Sequence, residues 1–218
     1  MTARPRRPRA LLFDWDNTLV DTWDTIHHAL VVTFIAMGRE PWTLAETKLK
    51  VARSLRDAFP VLFGDRWEEA RKLYLDSFVA VHLERLKAMG GAAEMLEALA
   101  SDGFYLGVVS NKTGNILRRE ANHLGWTRHF KRLVGAGDAA QDKPHAAPVL
   151  LALDGSGIGI GEAWYVGDTA LDMECAKNAG CRGVLLGAHA LEEESFAQFP
   201  PDLHLPACEA LVRSVRGL

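Results

Sequence analysis

Hydrophobic and polar positions along the chain follow two different periods. Leu11–Trp15 is a short apolar run that breaks at polar residues, the pattern of a strand buried on both faces. From there to about residue 89 the spacing turns helical. Trp23, Ile26, Leu30, Phe34 and Met37 recur at one-turn intervals, and Gly38 supplies a stop. "DRWEEARKLYLDSFVAVHLERL" follows as a long amphipathic helix with Trp67, Ala70, Leu73/Tyr74, Ser77/Phe78 and Val81 on one face. Beyond Gly90-Gly91 strands and helices alternate. A helix ending at Gly103 leads to strand "FYLGVVSN", then a helix over 113–124 and strand "RLVGAGD". A helix over 144–153 precedes strand "AWYVGD", followed by a helix over 171–179 and strand "CRGVLLG". A short strand and a closing helix complete the tail. Such alternation predicts an α/β, doubly wound, Rossmann-like parallel sheet. The expected organisation is a core of residues 10–21 plus 90–218, with 22–89 inserted after the first strand as an α-helical cap.

Composition narrows the partners. The 218 residues are 48% hydrophobic and 24% charged, with a formal net charge of −3. This is the balance of an ordinary globular domain, with no basic excess for a nucleic-acid partner. The opening "MTARPRRPRA" is locally basic but Pro-rich and without apolar anchors, so it reads as a solvated tail. No apolar core follows it that would make a secretory signal, and no apolar run approaches the roughly 20 residues of a membrane helix. Three cysteines, Cys175, Cys181 and Cys208, lack paired spacing and fit neither a disulfide framework nor a zinc site. A cytoplasmic protein with reduced thiols is expected. Oligomeric state is not encoded in any pattern found.

The chemistry gathers where strands end. "FDWDNT" closes the first strand with Asp14 and Asp16, "VVSNK" presents Ser110, and "YVGDTALD" presents Asp168 and Asp172. Parallel sheets carry ligands outside the carboxyl ends of their strands, so these groups are expected to converge. Lys143 of "DKP", placed at the opening of a helix, joins the same edge. Clustered oxygen ligands suit a hard cation such as Mg²⁺, and helix-start amides with a serine and a lysine suit a phosphate. Phosphoryl transfer is the reaction that uses both.

With these residues in order, "DWDNT", "SNK", "DKP" and "GDTALD", the chain resembles the haloacid dehalogenase-like superfamily, in its phosphatase branch with a helical cap, and most nearly the phosphoglycolate phosphatase-like group. The resemblance implies a Mg²⁺-dependent hydrolysis of a small phosphorylated metabolite. In it Asp14 is the nucleophile that becomes an aspartyl-phosphate, and Asp16 is the acid/base. Ser110 and amides including that of Asn111 cradle the phosphate, with Thr18 also on the substrate side. Lys143 offsets the charge of nucleophile and phosphoryl group. Asp14, the main-chain carbonyl of Asp16 and Asp168 ligate the metal. Asp172 is either a further ligand or a carboxylate that orients one. The chain departs from the pattern at Asn17, where glycine is common, at Trp15, where leucine is common, and at His145-Ala146 after "DKP". Asn tolerates the left-handed backbone that such a glycine provides.

Asp16 argues against the dehalogenases and phosphonoacetaldehyde hydrolases of the superfamily, which lack an acidic residue there. A sugar phosphomutase on the same core, or a non-catalytic phosphate-binding protein, are the alternative readings. Within the cap, "KLKVARSLRDAFP" reads as a loop whose Lys50, Arg53 and Arg56 are available to an anionic substrate tail, Arg53 and Arg56 foremost. His27-His28, His123, His129, His189 and His204 have no metal-ligand spacing, and His145 reads as an exposed helix-start residue.

Overall fold

A computed structural model describes residues 7–188 and 196–218; His189 and the first six residues of the basic tail lie outside that range. β1 (Ala10–Phe13) is wholly buried. Ala10 and Leu12 join one apolar cluster while Leu11 and Phe13 join another, as the alternation of a strand buried on both faces requires. The chain next forms β2 (Val20–Asp21), four helices α1 (Trp23–Ala36), α2 (Leu44–Lys50), α3 (Leu55–Phe63) and α4 (Trp67–Arg85), and β3 (Lys87–Ala88). From there α5 (Ala92–Ser101), β4 (Tyr105–Thr113), α6 (Gly114–His123), β5 (Arg132–Ala136), α7 (Ala147–Leu153), β6 (Ala163–Gly167), α8 (Ala170–Ala179) and β7 (Arg182–Leu186) alternate. β8 (Leu203–Leu205) and α9 (Cys208–Arg216) close it.

Six strands make one sheet in the order β5-β4-β1-β6-β7-β8, every pair parallel. The chain steps outward from β1 through β4 to β5, then returns to the other side of β1 for β6. Side chains of α5, α6 and α9, among them Leu96, Leu117 and Leu211, pack on the sheet face that carries Leu11 and Phe13. Those of α7 and α8, such as Val149 and Cys175, cover the other face. Strand reversal at β1 opens a crevice at its carboxyl end, the place where a doubly wound sheet takes its ligand.

The helices α1, α3 and α4 bury a core of their own: Ile26, Leu30, Phe34, Phe59, Phe63, Tyr74 and Phe78, joined from α6 by Ile116. β2 and β3 pair antiparallel, Val20 opposite Ala88, and bring the two ends of this helical segment together. Two-residue strands carry no alternation, so no sequence pattern signalled them.

Several expected elements are corrected. The first strand stops at Phe13 rather than Trp15, since the chain turns at Asp14 to present its side chain. Helix α7 begins at Ala147, not at residue 144. A turn closed by the His145 N–H on the Asp142 carbonyl (3.0 Å) occupies residues 142–145, so neither Lys143 nor exposed His145 sits in a helix start. The supposed loop around Arg53 is mostly helix: Lys48 and Lys50 end α2, Arg56 lies in α3, and only residues 51–54 connect them. On α4 the buried stripe is Ala70, Tyr74, Phe78 and His82, so the expected Val81 gives way to a histidine.

Candidate functional site

The residues named at strand ends do come together. Asp14 follows β1, Ser110 lies near the end of β4, and Asp168 follows β6; all three are buried. The turn after Asp14 works because Asn17 takes φ 64°, the left-handed conformation expected of it, with its N–H on the Val20 carbonyl and its Oδ1 accepting from the Thr22 amide.

Lys143 Nζ donates to Asp14 Oδ1 and to Asp172 Oδ1, both at 2.7 Å. All three groups are buried, so the lysine is the local counter-charge for two carboxylates. Burial opposes its charge, yet the adjacent Asp14 and Asp172 outweigh it and hold the ammonium more basic than usual. The Asp14 carboxyl is raised to about 7, first by burial, against the lowering by Lys143, with nearby Asp172 and Asp16 contributing to the rise. Asp168 is raised too, by burial and then by the Asp172 and Asp14 charges, while a 2.8 Å hydrogen bond from Thr18 opposes this. A protein that crowds acids into apolar surroundings at this cost has a reason to lower it with a cation.

Carboxylate oxygens of Asp14, Asp168 and Asp172 all lie within 4.8 Å of one another, the kind of cluster that could hold a metal ion. Its donors are all oxygens, which suits Mg²⁺ or Ca²⁺ rather than zinc. The carboxylates are not equivalent. Both oxygens of Asp172 are already engaged: Oδ1 accepts from Lys143 and, at 3.2 Å, from the Tyr165 hydroxyl, and Oδ2 from the Thr169 amide (3.0 Å) and hydroxyl (2.6 Å). Thr169 and Asp172 thereby form the capping box that starts α8. Gly167 makes room for it: a Cβ there would stand 2.4 Å from Asp172 Cγ.

A cavity of about 120 Å³ opens beside these groups, lined on the core side by Asp14, Asp16, Ser110, Lys112 and Lys143. Ile26, Leu55, Tyr74 and Phe78 from the helical segment roof it, with Arg53. Thr18 spends its hydroxyl on Asp168 and is not part of this lining. The Asn111 side chain is likewise engaged, accepting from the Lys143 amide (3.0 Å) and donating to the Lys143 and Ala52 carbonyls (both 3.2 Å). Arg56 differs from expectation. Its guanidinium grips the buried Asp142 carboxylate at 2.8 and 3.0 Å, because that carboxylate needs a partner, and so ties α3 to the loop holding Lys143. Lys50 pairs with exposed Glu46 on its own helix at 2.8 Å.

Sequence reasoning passed over four residues here. Thr22 donates to Asp16 Oδ1 at 2.7 Å. Lys112 reaches the same oxygen at 2.6 Å and Glu120 Oε2 at 2.7 Å. Glu120 Oε1 meets His82 Nδ1 at 2.8 Å. The signals were present: Lys112 lies two positions from Ser110 on a strand, and Glu120 and His82 each occupy a core position of an amphipathic helix. The remaining histidines lie in no metal cluster among the described residues.

Residues 11–186 match the haloacid dehalogenase-like hydrolase family. Among similar proteins, phosphoglycolate phosphatase of Xylella fastidiosa is 33% identical over 177 residues, 79% of this chain and 77% of that one. Pyrophosphatase PpaX of Listeria monocytogenes is 28% identical over 207 residues, 94% of this chain and 95% of that one. A haloacid dehalogenase-like family hydrolase from Streptococcus pneumoniae superposes with a TM-score of 0.83 at 23% identity, covering 95% of this chain and 98% of that structure. The chain belongs to the haloacid dehalogenase-like hydrolases.

Proposed function

We propose that this protein is a Mg²⁺-dependent phosphatase that hydrolyses a small-molecule phosphate monoester through an aspartyl-phosphate on Asp14. The observation that carries the reading is a single buried lysine clasping Asp14 and Asp172, with Asp168 beside them, under a small roofed cavity. Relatives named as phosphatases support it, and phosphoglycolate is the first ester to test.

Asp14, Asp168 and the main-chain carbonyl of Asp16 would hold the cation; Asp172, with both oxygens already hydrogen-bonded, would orient Lys143 instead. When bound, Mg²⁺ supplies charge neutralisation between nucleophile and phosphoryl oxygens. Ser110 and neighbouring amides bind those oxygens. An Asp14 oxygen forms a bond to phosphorus as the ester P–O bond breaks, and Asp16 gives the departing oxygen its proton. Asp16 then takes a proton from water, whose oxygen attacks phosphorus, frees Asp14 and releases inorganic phosphate. Apolar roof residues exclude bulk water from the first step.

Phosphate release from a panel of phosphorylated metabolites tests the reading. Activity should vanish in excess chelator and return with Mg²⁺, and Asp14→Asn should abolish turnover. Full activity in chelator, or a working Asp14→Asn enzyme, refutes it.

A further inference from the structure

Asp16 is held not by the carboxylate cluster but by Lys112 of the cavity wall, and behind Lys112 a chain of buried side chains runs away from the cavity. Its Oδ1 accepts from Lys112 Nζ, which also donates to Glu120 Oε2, and Trp15 Nε1 donates to that same Glu120 oxygen at 2.7 Å. Glu120 Oε1 pairs with His82 Nδ1. An ionised carboxylate only accepts, so the proton of this last contact sits on Nδ1. His82 is 1% exposed and Glu120 0%. His82 Nε2 is buried with no hydrogen-bond partner among the described residues. Lys112 additionally lies over the Phe78 ring, 4.9 Å from its centroid.

The arrangement is expensive. Taking the Lys112 ammonium and the Glu120 carboxylate out of water, and leaving an imidazole nitrogen bare, is seldom repaid in stability, and apolar side chains of similar size would pack these positions at lower cost. The positions are also particular. Asp16 comes from the turn after β1, Lys112 from β4 and Glu120 from α6, whereas His82 and Phe78 project from α4, a helix of the segment that roofs the cavity. Only one oxygen of Asp16 is used by Lys112 and Thr22, so the other is left for the reaction.

We propose that Glu120 and His82 are positioning residues that hold Lys112 against Asp16 and fix the acid/base rotamer, His82 supplying the contact from α4. This rests on the assignment of Asp16 as the acid/base and adds to it the device that aims it. A loosened Asp16 carboxyl would leave nucleophilic attack by Asp14 intact. It would slow the first step most for esters whose leaving oxygen needs a proton, and the second step, which needs Asp16 as base, alike for all.

The test compares p-nitrophenyl phosphate, whose leaving group departs without help, with an alkyl phosphate, whose leaving group does not. Glu120→Gln and His82→Gln remove one charge or one ring contact each without touching the cavity-facing oxygens. In a single turnover each should slow release of the alcohol from the alkyl ester by roughly ten- to hundredfold and barely change release of p-nitrophenolate; hydrolysis of the aspartyl-phosphate, for which Asp16 is the base, is common to both esters and slows equally. In an Asp16→Asn background Glu120→Gln should cost nothing further on the alkyl ester, because its effect passes through the missing carboxyl. Single-turnover losses in leaving-group release that are equal for both esters, absent, or additive with Asp16→Asn overturn the proposal. So does failure of both variants to fold, which would assign the network to stability. An Asp16→Asn enzyme that slows leaving-group release from both esters alike in a single turnover would instead defeat the acid/base reading itself, and the two failures are distinguishable.

Discussion

At the scale of single residues, the site is organised by which carboxylates are free and which are already engaged. The motif residues were legible because strand ends in a parallel sheet converge whatever their separation in sequence; Asp14 and Asp168 are an instance. What sequence could not resolve was how each side chain spends its hydrogen bonds. Thr18 stood beside the phosphate in the sequence reading, yet the structure commits its hydroxyl to Asp168, and the Asn111 side chain is spent on the Lys143 backbone while the residue still lines the cavity. Asp172 depends on Gly167, the glycine that opens its motif. In Gly167→Ala the added methyl would meet a fully buried carboxylate, not the mobile end of a long chain. The variant should lose about 1–3 kcal/mol of stability and, because Asp172 shares Lys143 with Asp14, most of its activity. Chemical denaturation with a parallel assay checks this; a stable, active Gly167→Ala protein would show that Asp172 can move without consequence.

At the scale of elements, hydrophobic period identified the alternation of core strands and helices, and the helical character of the segment after the first strand. It failed where stretches are short or turns decide. The β2–β3 pair, the turn before α7 and the link at residues 51–54 are each too brief to show a period. The error over Arg56 follows from that: with α3 unrecognised, two arginines three positions apart looked equally available to a substrate. In the structure they separate into a tether and a cavity residue, and the prediction separates with them. Arg56→Ala strips a buried Asp142 of its ion pair and should cost about 1–3 kcal/mol, lowering activity toward all esters alike. Arg53→Ala should leave the melting temperature unchanged and raise KM only for esters with an anionic tail. Thermal melts and steady-state kinetics on phosphoglycolate and p-nitrophenyl phosphate decide it. A destabilised Arg53→Ala, or a substrate-selective Arg56→Ala, would reverse the two roles.

For the whole molecule, the crowding of acids at one sheet edge sets how stability responds to pH and metal. Asp14 ionises near 3.8 in an unfolded chain but at about 7 in the fold, chiefly through burial, and Asp168 is displaced in the same direction. The folded state thus holds these protons more tightly than the unfolded one. Its advantage is complete below the ordinary carboxylate range and is lost as pH rises through about 7. Exposed Glu46 moves oppositely, down to about 2, and its influence lies below the window that matters here. Metal-free protein should therefore melt progressively earlier from about pH 5 to about pH 8. A divalent cation binds the ionised carboxylates and not the protonated ones, so it opposes that loss. At 100 times its dissociation constant it adds about 2.7 kcal/mol, or roughly 5–10 °C for a chain of this length. Melting curves at several pH values, in chelator and in saturating Mg²⁺, measure both effects. The Mg²⁺-induced rise should grow with pH. A rise that is largest at pH 5, or none at pH 8, would mean that the cation does not bind the cluster of Asp14 and Asp168.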